Sequence, residues 1–253
     1  MNNIIANFGQ ILDQAEAAGI PRDKRRGILR EYLQTKFLAR LYAQPKAKHL
    51  SFIGDTALRI LHGIDRFSEN LDFDNLGLGR NDLTRLLAAI TDEFKRENID
   101  VELTAHNLRF PRLLFDLKIT TNPKEKLMIK VDYSTNWQEQ TTTTVLLSKY
   151  GLIEQIVTNP LSQIMVQKLA AYVNRAITQP RDMYDIIWLH SRGVRPDQAF
   201  MQANRVIDLI EQAQAKFATE GAGEAIIRRL RPFLFDEGEI RKIQLLGKVL
   251  DTL

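Results

Sequence analysis

Apolar and polar residues repeat with two different periods along this chain, and the change of period divides it into segments. Residues 3–43 carry apolar positions at helical spacing in two stripes, with a break at Gly19-Ile20-Pro21. At residues 50–53 a short apolar run, LSFI, meets Gly54 and then a helical pattern. We therefore expect two N-terminal helices, followed by a strand, a glycine turn and the start of a third helix.

Period-two alternation dominates the middle of the chain. After a helical pattern at residues 81–96, alternating segments read VELTA, RLLFDLKI, LMIKVDYS and TTTVLL, which predicts a sheet. From about residue 151 we expect four helices and no further strand, the last an amphipathic helix at residues 240–253. The pattern predicts an α+β fold with N-terminal helices at 1–48, an α/β head at 49–150 and a C-terminal helical domain at 151–253.

Composition narrows the class of protein without identifying it. The 253 residues are 44% hydrophobic and carry a net charge of +4, which is typical of a globular protein and gives a slight preference for polyanions. The chain has no cysteine, which excludes disulfides, cysteine zinc sites and thiol nucleophiles. We find no long apolar run and no secretory signal, so we expect a cytoplasmic protein with no membrane partner.

Candidate chemistry begins at residues 66–74, which read RFSENLDFD. In a strand, Asn70, Asp72 and Asp74 would line one face while Leu71 and Phe73 pack behind them. Two acids on one face repel unless water or a cation neutralises them, and Mg²⁺ prefers oxygen ligands. For an isolated DxD, a solvated acidic edge strand is the commoner explanation.

Two further features favour a metal and phosphate site. In LMIKVDYS, Met128, Lys130 and Asp132 share one strand face, which supplies a third carboxylate from a separate strand. Carboxylates from two strands can hold metals at a phosphoryl centre. The segment Gly54-Asp55-Thr56 opens a helix, whose N-terminus attracts phosphate, although a simple helix cap has the same sequence.

These motifs together resemble a known family. FIGDTALR followed by RFSENLDFD is similar to the AbiEii/AbiGii toxin family, whose usual motifs are GGTAL(R) and then RFSEDLDF. This family resembles DNA polymerase β in having the nucleotidyltransferase fold. Ile129-Lys130-Val131-Asp132 resembles the KxD strand of the family. A helical segment resembling EKLxA…R…RDxYDL follows, and the likeness covers roughly residues 30–192.

The resemblance implies an activity and its residues. Lys168 falls inside an apolar helical stripe, where it must reach the surface or meet an anion, and in the family a lysine at this place approaches a triphosphate. The family also marks Asp182, and less strongly Asp185, in RDMYD. The expected metal ligands are Asp72, Asp74 and Asp132, with Asp132 also as base, while Gly54, Asp55, Thr56, Lys168 and Asp182 would bind the nucleotide.

The expected reaction transfers a nucleoside monophosphate from an NTP to an acceptor hydroxyl with Mg²⁺ or Mn²⁺. The resemblance implies RNA, for instance the 3′ end of tRNA, or a protein as acceptor, and a phage-defence toxin with a cognate antitoxin. Two positions depart from the family: Asn70 replaces its first Asp, and Asp55 stands where Gly or Ser is usual. A non-catalytic nucleotide- or nucleic-acid-binding module, or an interaction protein, is therefore the alternative.

Overall fold

The computed structural model describes residues 3–106, 113–122, 125–135 and 137–253, which divide into two compact units. The first unit takes the described residues among 1–62, 67–136 and 144–158, and the second takes those among 63–66, 137–143 and 159–253. Within the described ranges, no helix combines the length and the apolar character that crossing a membrane requires. The predicted three-part division at residues 48 and 150 stays a prediction.

A mixed seven-stranded sheet forms the centre of the first unit, in the order β3-β4-β5-β2-β1-β7-β6. Its strands are β1 (Leu50–Ile53), β2 (Leu71–Asn75), β3 (Asp100–His106), β4 (Leu113–Asn122), β5 (Glu125–Ser134), β6 (Thr143–Lys149) and β7 (Leu152–Thr158). β2 runs parallel to β5, and β1 runs parallel to β7 and antiparallel to β2. Arg112, the first residue of one predicted strand, lies outside the described residues.

Helices of the first unit are α1 (Asn3–Ala17), α2 (Arg25–Tyr42), α3 (Gly54–His62) and α4 (Arg80–Arg96), with a 3₁₀ helix at Pro45–His49. These bounds confirm the two predicted N-terminal helices, the helix near 81–96 and the strand, turn and helix around Gly54. The apolar face of the sheet is buried, and at its centre the ring of Phe73 lies 5.3 Å from that of Phe52 and 5.2 Å from that of Tyr133.

Strand β7 corrects the expectation that no strand follows residue 151. It forms a hairpin with β6 through Tyr150 and Gly151, whose φ angles of 52° and 72° suit a tight two-residue turn. Its inward residues Ile156 and Thr158 are buried, and the Thr158 hydroxyl donates to the Phe52 carbonyl at 2.6 Å. This alternation is short and adjoins a long helical region, which is why the periodicity missed it.

The second unit is helical. Its elements are α5 (Leu161–Asn174), α6 (Pro180–Ser191), α7 (Gln198–Ala203), α8 (Leu209–Glu220), α9 (Glu224–Leu230) and α10 (Leu246–Leu250), with 3₁₀ helices at Arg231–Phe233 and Glu237–Leu245. The predicted single helix at 240–253 is wrong. Within Glu237–Leu245 the buried residues Ile240 and Ile243 lie three residues apart, a spacing that matches the three residues per turn of a 3₁₀ helix. The sheet and these helices together confirm the α+β class.

Candidate functional site

Two carboxylates of the predicted acidic face lie side by side on neighbouring strands. Asp72 on β2 is the register partner of Asp132 on β5, and because these strands are parallel both side chains leave the same face of the sheet. Both residues are half-buried. Like charges on adjacent strands repel, which favours a nearby cation, and carboxylate oxygens are the ligands that Mg²⁺ prefers. The pair therefore fits a divalent cation.

Asp74 lies two residues further along the same face of β2 and is completely buried. Its register partners are Ser51 on β1 and Ser134 on β5. Asn70 lies immediately before the strand, whose first residue is Leu71. Asp72 and Asp132 thus form the accessible part of the acidic face, and Asp74 forms its buried end.

Gly54 brings the backbone close to this acidic face. Its φ of +77° is strained for any other residue, and a Cβ placed there would lie 3.0 Å from Oδ2 of Asp72. Gly54 is also the first residue of α3, where the helix N-terminus attracts negative charge. The turn therefore holds an anion-attracting backbone next to the carboxylate of Asp72.

Thr56 and Ser68 connect the start of α3 to the segment before β2. The buried Thr56 hydroxyl lies 2.7 Å from the Ser68 hydroxyl and also contacts the Asn70 carbonyl. A hydroxyl has one proton, so Thr56 donates to the carbonyl and accepts from Ser68. Asp55, in the same first turn, is half-buried, and its charge there is favoured by the helix dipole.

Lys168 lies in a chain of buried ion pairs within the second unit. Its Nζ is 2.7 Å from Oδ2 of Asp185 and 3.5 Å from Oδ1 of Asp182. Arg66 donates two bonds to Asp185, at 2.7 and 2.6 Å, and Nε of Arg175 lies 2.9 Å from Asp182. These carboxylates are the anions that the buried lysine required.

Sequence reasoning missed a second buried charge cluster, in the first unit. Glu31, 2% exposed, accepts from Nε of Arg59 at 2.6 Å, Nζ of Lys149 at 2.5 Å and the Tyr150 hydroxyl at 2.9 Å. Burial raises the pKa of Glu31, but the two cations outweigh it and the net pKa lies below its usual value. The signal was present, because Glu31 lies at helical spacing from Ile28 inside the apolar stripe of α2.

The fold has solved relatives. JHP933 of Helicobacter pylori shares 18% identity and a TM-score of 0.58 over 90% of this chain and 92% of that one. A nucleotidyltransferase described as putative from H. pylori shares 18% identity and a TM-score of 0.56, covering 90% and 95%. MenT4, a nucleotidyltransferase toxin of Mycobacterium tuberculosis, shares 15% identity and a TM-score of 0.60, covering 97% and 89%. At these identities the likeness establishes the fold.

The family is established by comparison of the sequence with a family model. No curated protein matches this sequence. A family model described as "Nucleotidyl transferase AbiEii toxin, Type IV TA system" matches residues 36–246, which is most of the chain. The match includes the Gly54 turn, the acidic face and the ion-paired helices α5 and α6. The chain belongs to the AbiEii family of nucleotidyltransferase toxins.

Proposed function

We propose that this nucleotidyltransferase moves a nucleoside monophosphate from an NTP to an acceptor hydroxyl, with Mg²⁺ or Mn²⁺ held by Asp72 and Asp132. The observation that carries the proposal is the register pairing of these two half-buried carboxylates on parallel strands. Asp74 is proposed as a third ligand from the buried end of the same face. A bound divalent cation would neutralise charge that develops on the transferring phosphoryl group.

The remaining residues bind and orient the substrates. We assign the β and γ phosphates to the backbone of Gly54 and the first turn of α3, including Asp55 and Thr56. Asp132 would also accept the proton of the attacking hydroxyl, which requires that the acceptor reach it directly. Positioning and electrostatic stabilisation, without a covalent enzyme intermediate, would supply the rate enhancement.

Lys168 and Asp182 are carried over from the family motif as triphosphate-binding residues. The support is the burial of Lys168 and the position of its ammonium group, which lies 2.7 Å from Asp185 and 3.5 Å from Asp182. A phosphate would share this ammonium with Asp182 and Asp185. The acidic partners hold the lysine side chain in place while no nucleotide is bound.

The biological setting follows from the family. We propose RNA, including the 3′ end of tRNA, or a protein side chain as acceptor, and a cognate antitoxin as partner. Because NTPs and both kinds of acceptor are abundant in the cytoplasm, we propose that the protein acts there, as a toxin in phage defence.

The test incubates the pure protein with Mg²⁺, total RNA, a protein extract and each α-labelled NTP in turn. We expect label transfer that Asp72→Asn abolishes and that Asp92→Asn leaves unchanged. Asp92 is an exposed carboxylate on α4, so its substitution is the matched control for charge removal.

Two results would contradict the proposal in different ways. If the transferred label stayed at background for all four NTPs and every acceptor, the proposed nucleotidyltransferase activity would be refuted. If NTPs then still raised the melting temperature, the protein would be a non-catalytic nucleotide-binding module, the alternative that Asn70 and Asp55 favour.

A further inference from the structure

Strand β5 carries an exposed row of residues that leads to the acidic pair. Lys126, Met128 and Lys130 alternate with buried Leu127 and Ile129, so they share the face on which Asp132 lies two residues further on. Met128 is 43% exposed, which is unusual for a large apolar side chain at the centre of a strand. These exposed residues belong neither to the proposed metal site nor to the proposed triphosphate site.

A neighbouring strand widens this row with one more cation. Lys118 on β4 is the register partner of Met128. It forms an ion pair with Glu102 at 3.0 Å, but both side chains are exposed, so the pair is weak and Lys118 can exchange Glu102 for another anion. We call Lys118, Lys126, Met128 and Lys130 the lysine row. At its start, Nη2 of Arg26 donates to the Lys126 carbonyl at 2.9 Å and brings another positive charge.

The chemistry of the lysine row suits a single-stranded polynucleotide. Lys126 and Lys130 lie four residues apart on one strand, about 13 Å, which allows contacts with two separate phosphates of one polynucleotide strand. The exposed thioether of Met128 between them offers an apolar surface to an unstacked base. Glu102 on β3 lies beyond Lys118, and Asp116 on β4 lies directly beside Lys130, so a polyanion would follow β5 rather than β4 and β3.

We propose that the lysine row binds the single-stranded end of a polynucleotide acceptor and directs its terminal hydroxyl toward Asp132. This inference rests on the proposed nucleotidyl transfer and adds the path of the acceptor to it. A polypeptide acceptor has no regular series of anions for the row to recognise. A duplex would keep its bases stacked and away from Met128.

The test measures binding of a fluorescent single-stranded RNA oligonucleotide by anisotropy, without NTP or metal, over a range of salt concentrations. We expect Lys126→Gln/Lys130→Gln to weaken binding about tenfold at low salt and to reduce the slope of log affinity against log salt by about 1.4. Lys95→Gln/Lys248→Gln removes the same charge from two exposed lysines elsewhere and should change neither quantity. Met128→Ala should weaken binding without changing the slope.

The outcomes separate this inference from the proposed function. If the two double variants bound RNA with equal affinity, the proposed role of the lysine row would be refuted. The proposed nucleotidyl transfer would not be affected. If the wild type did not bind RNA but transferred label to protein, the proposal that the acceptor is a polynucleotide would be refuted. A weakened Lys126→Gln/Lys130→Gln variant that binds NTP like the wild type would support the lysine row even if label transfer were absent.

Discussion

Gly54 offers a sharp test of the site because its substitution adds one carbon atom next to Asp72. In Gly54→Ala the new Cβ would lie 3.0 Å from Oδ2 of Asp72, so the carboxylate must move by a few tenths of an ångström. The φ of +77° adds about 1–2 kcal/mol of backbone strain. A misplacement of 1 Å can cost a hundredfold in rate, so we expect about a tenfold loss of transfer from this smaller shift.

Gly63 provides the matched control. Its φ of +78° imposes the same backbone strain, but a Cβ there would meet nothing within 4 Å. Thermal unfolding should therefore show a similar loss of stability in Gly54→Ala and Gly63→Ala. Label transfer should fall in the first variant alone. If both variants lost the same fraction of activity, the contact with Asp72 would have no role, and the reasoning about this turn would be refuted.

Four further substitutions test the charged residues. Asp72→Asn or Asp132→Asn should abolish the rise in melting temperature caused by Mg²⁺ and, because charge repulsion is relieved, should not lower the metal-free melting temperature. Glu31→Gln leaves Arg59 and Lys149 buried without their anion and should cost about 3–5 kcal/mol in urea unfolding. Since the pKa of Glu31 is lowered, its contribution is complete above its ordinary value of 4.5 and lost as pH falls through the lower folded value, so the cost should shrink in acid. Lys168→Met should raise the KM for NTP, measured from initial rates. A KM equal to that of the wild type would show that Lys168 does not bind the nucleotide.

The sheet and its connections were predictable where the local pattern was strong. The run at residues 50–53 followed by Gly54 gave β1 and α3 at their observed positions, because an apolar strand and a glycine turn leave little choice of local structure. β7 was missed because its alternation spans seven residues beside a helical region. The 3₁₀ helix at Glu237–Leu245 was missed because a period of three is easily read as 3.6 over one or two turns.

The charged residues were harder to interpret than the fold. A sequence indicates that Lys168 and Glu31 fall inside apolar stripes, but it does not indicate which opposite charges meet them. Those partners are distant in sequence: Arg59 and Lys149 for Glu31, and Asp185 for Lys168. Arg59 is buried against Glu31, an arrangement that periodicity alone does not predict.

The departure at Asn70 has a physical interpretation in the register of the sheet. A DxD motif places two carboxylates along one strand, about 7 Å apart. Here the two accessible carboxylates, Asp72 and Asp132, face each other across two parallel strands instead, and Asp74 is buried at the end of the face. A cation held across strands does not need a carboxylate at position 70, whose backbone carbonyl already binds Thr56. Replacement of the family's first Asp by Asn70 is therefore compatible with metal binding by the cross-strand pair.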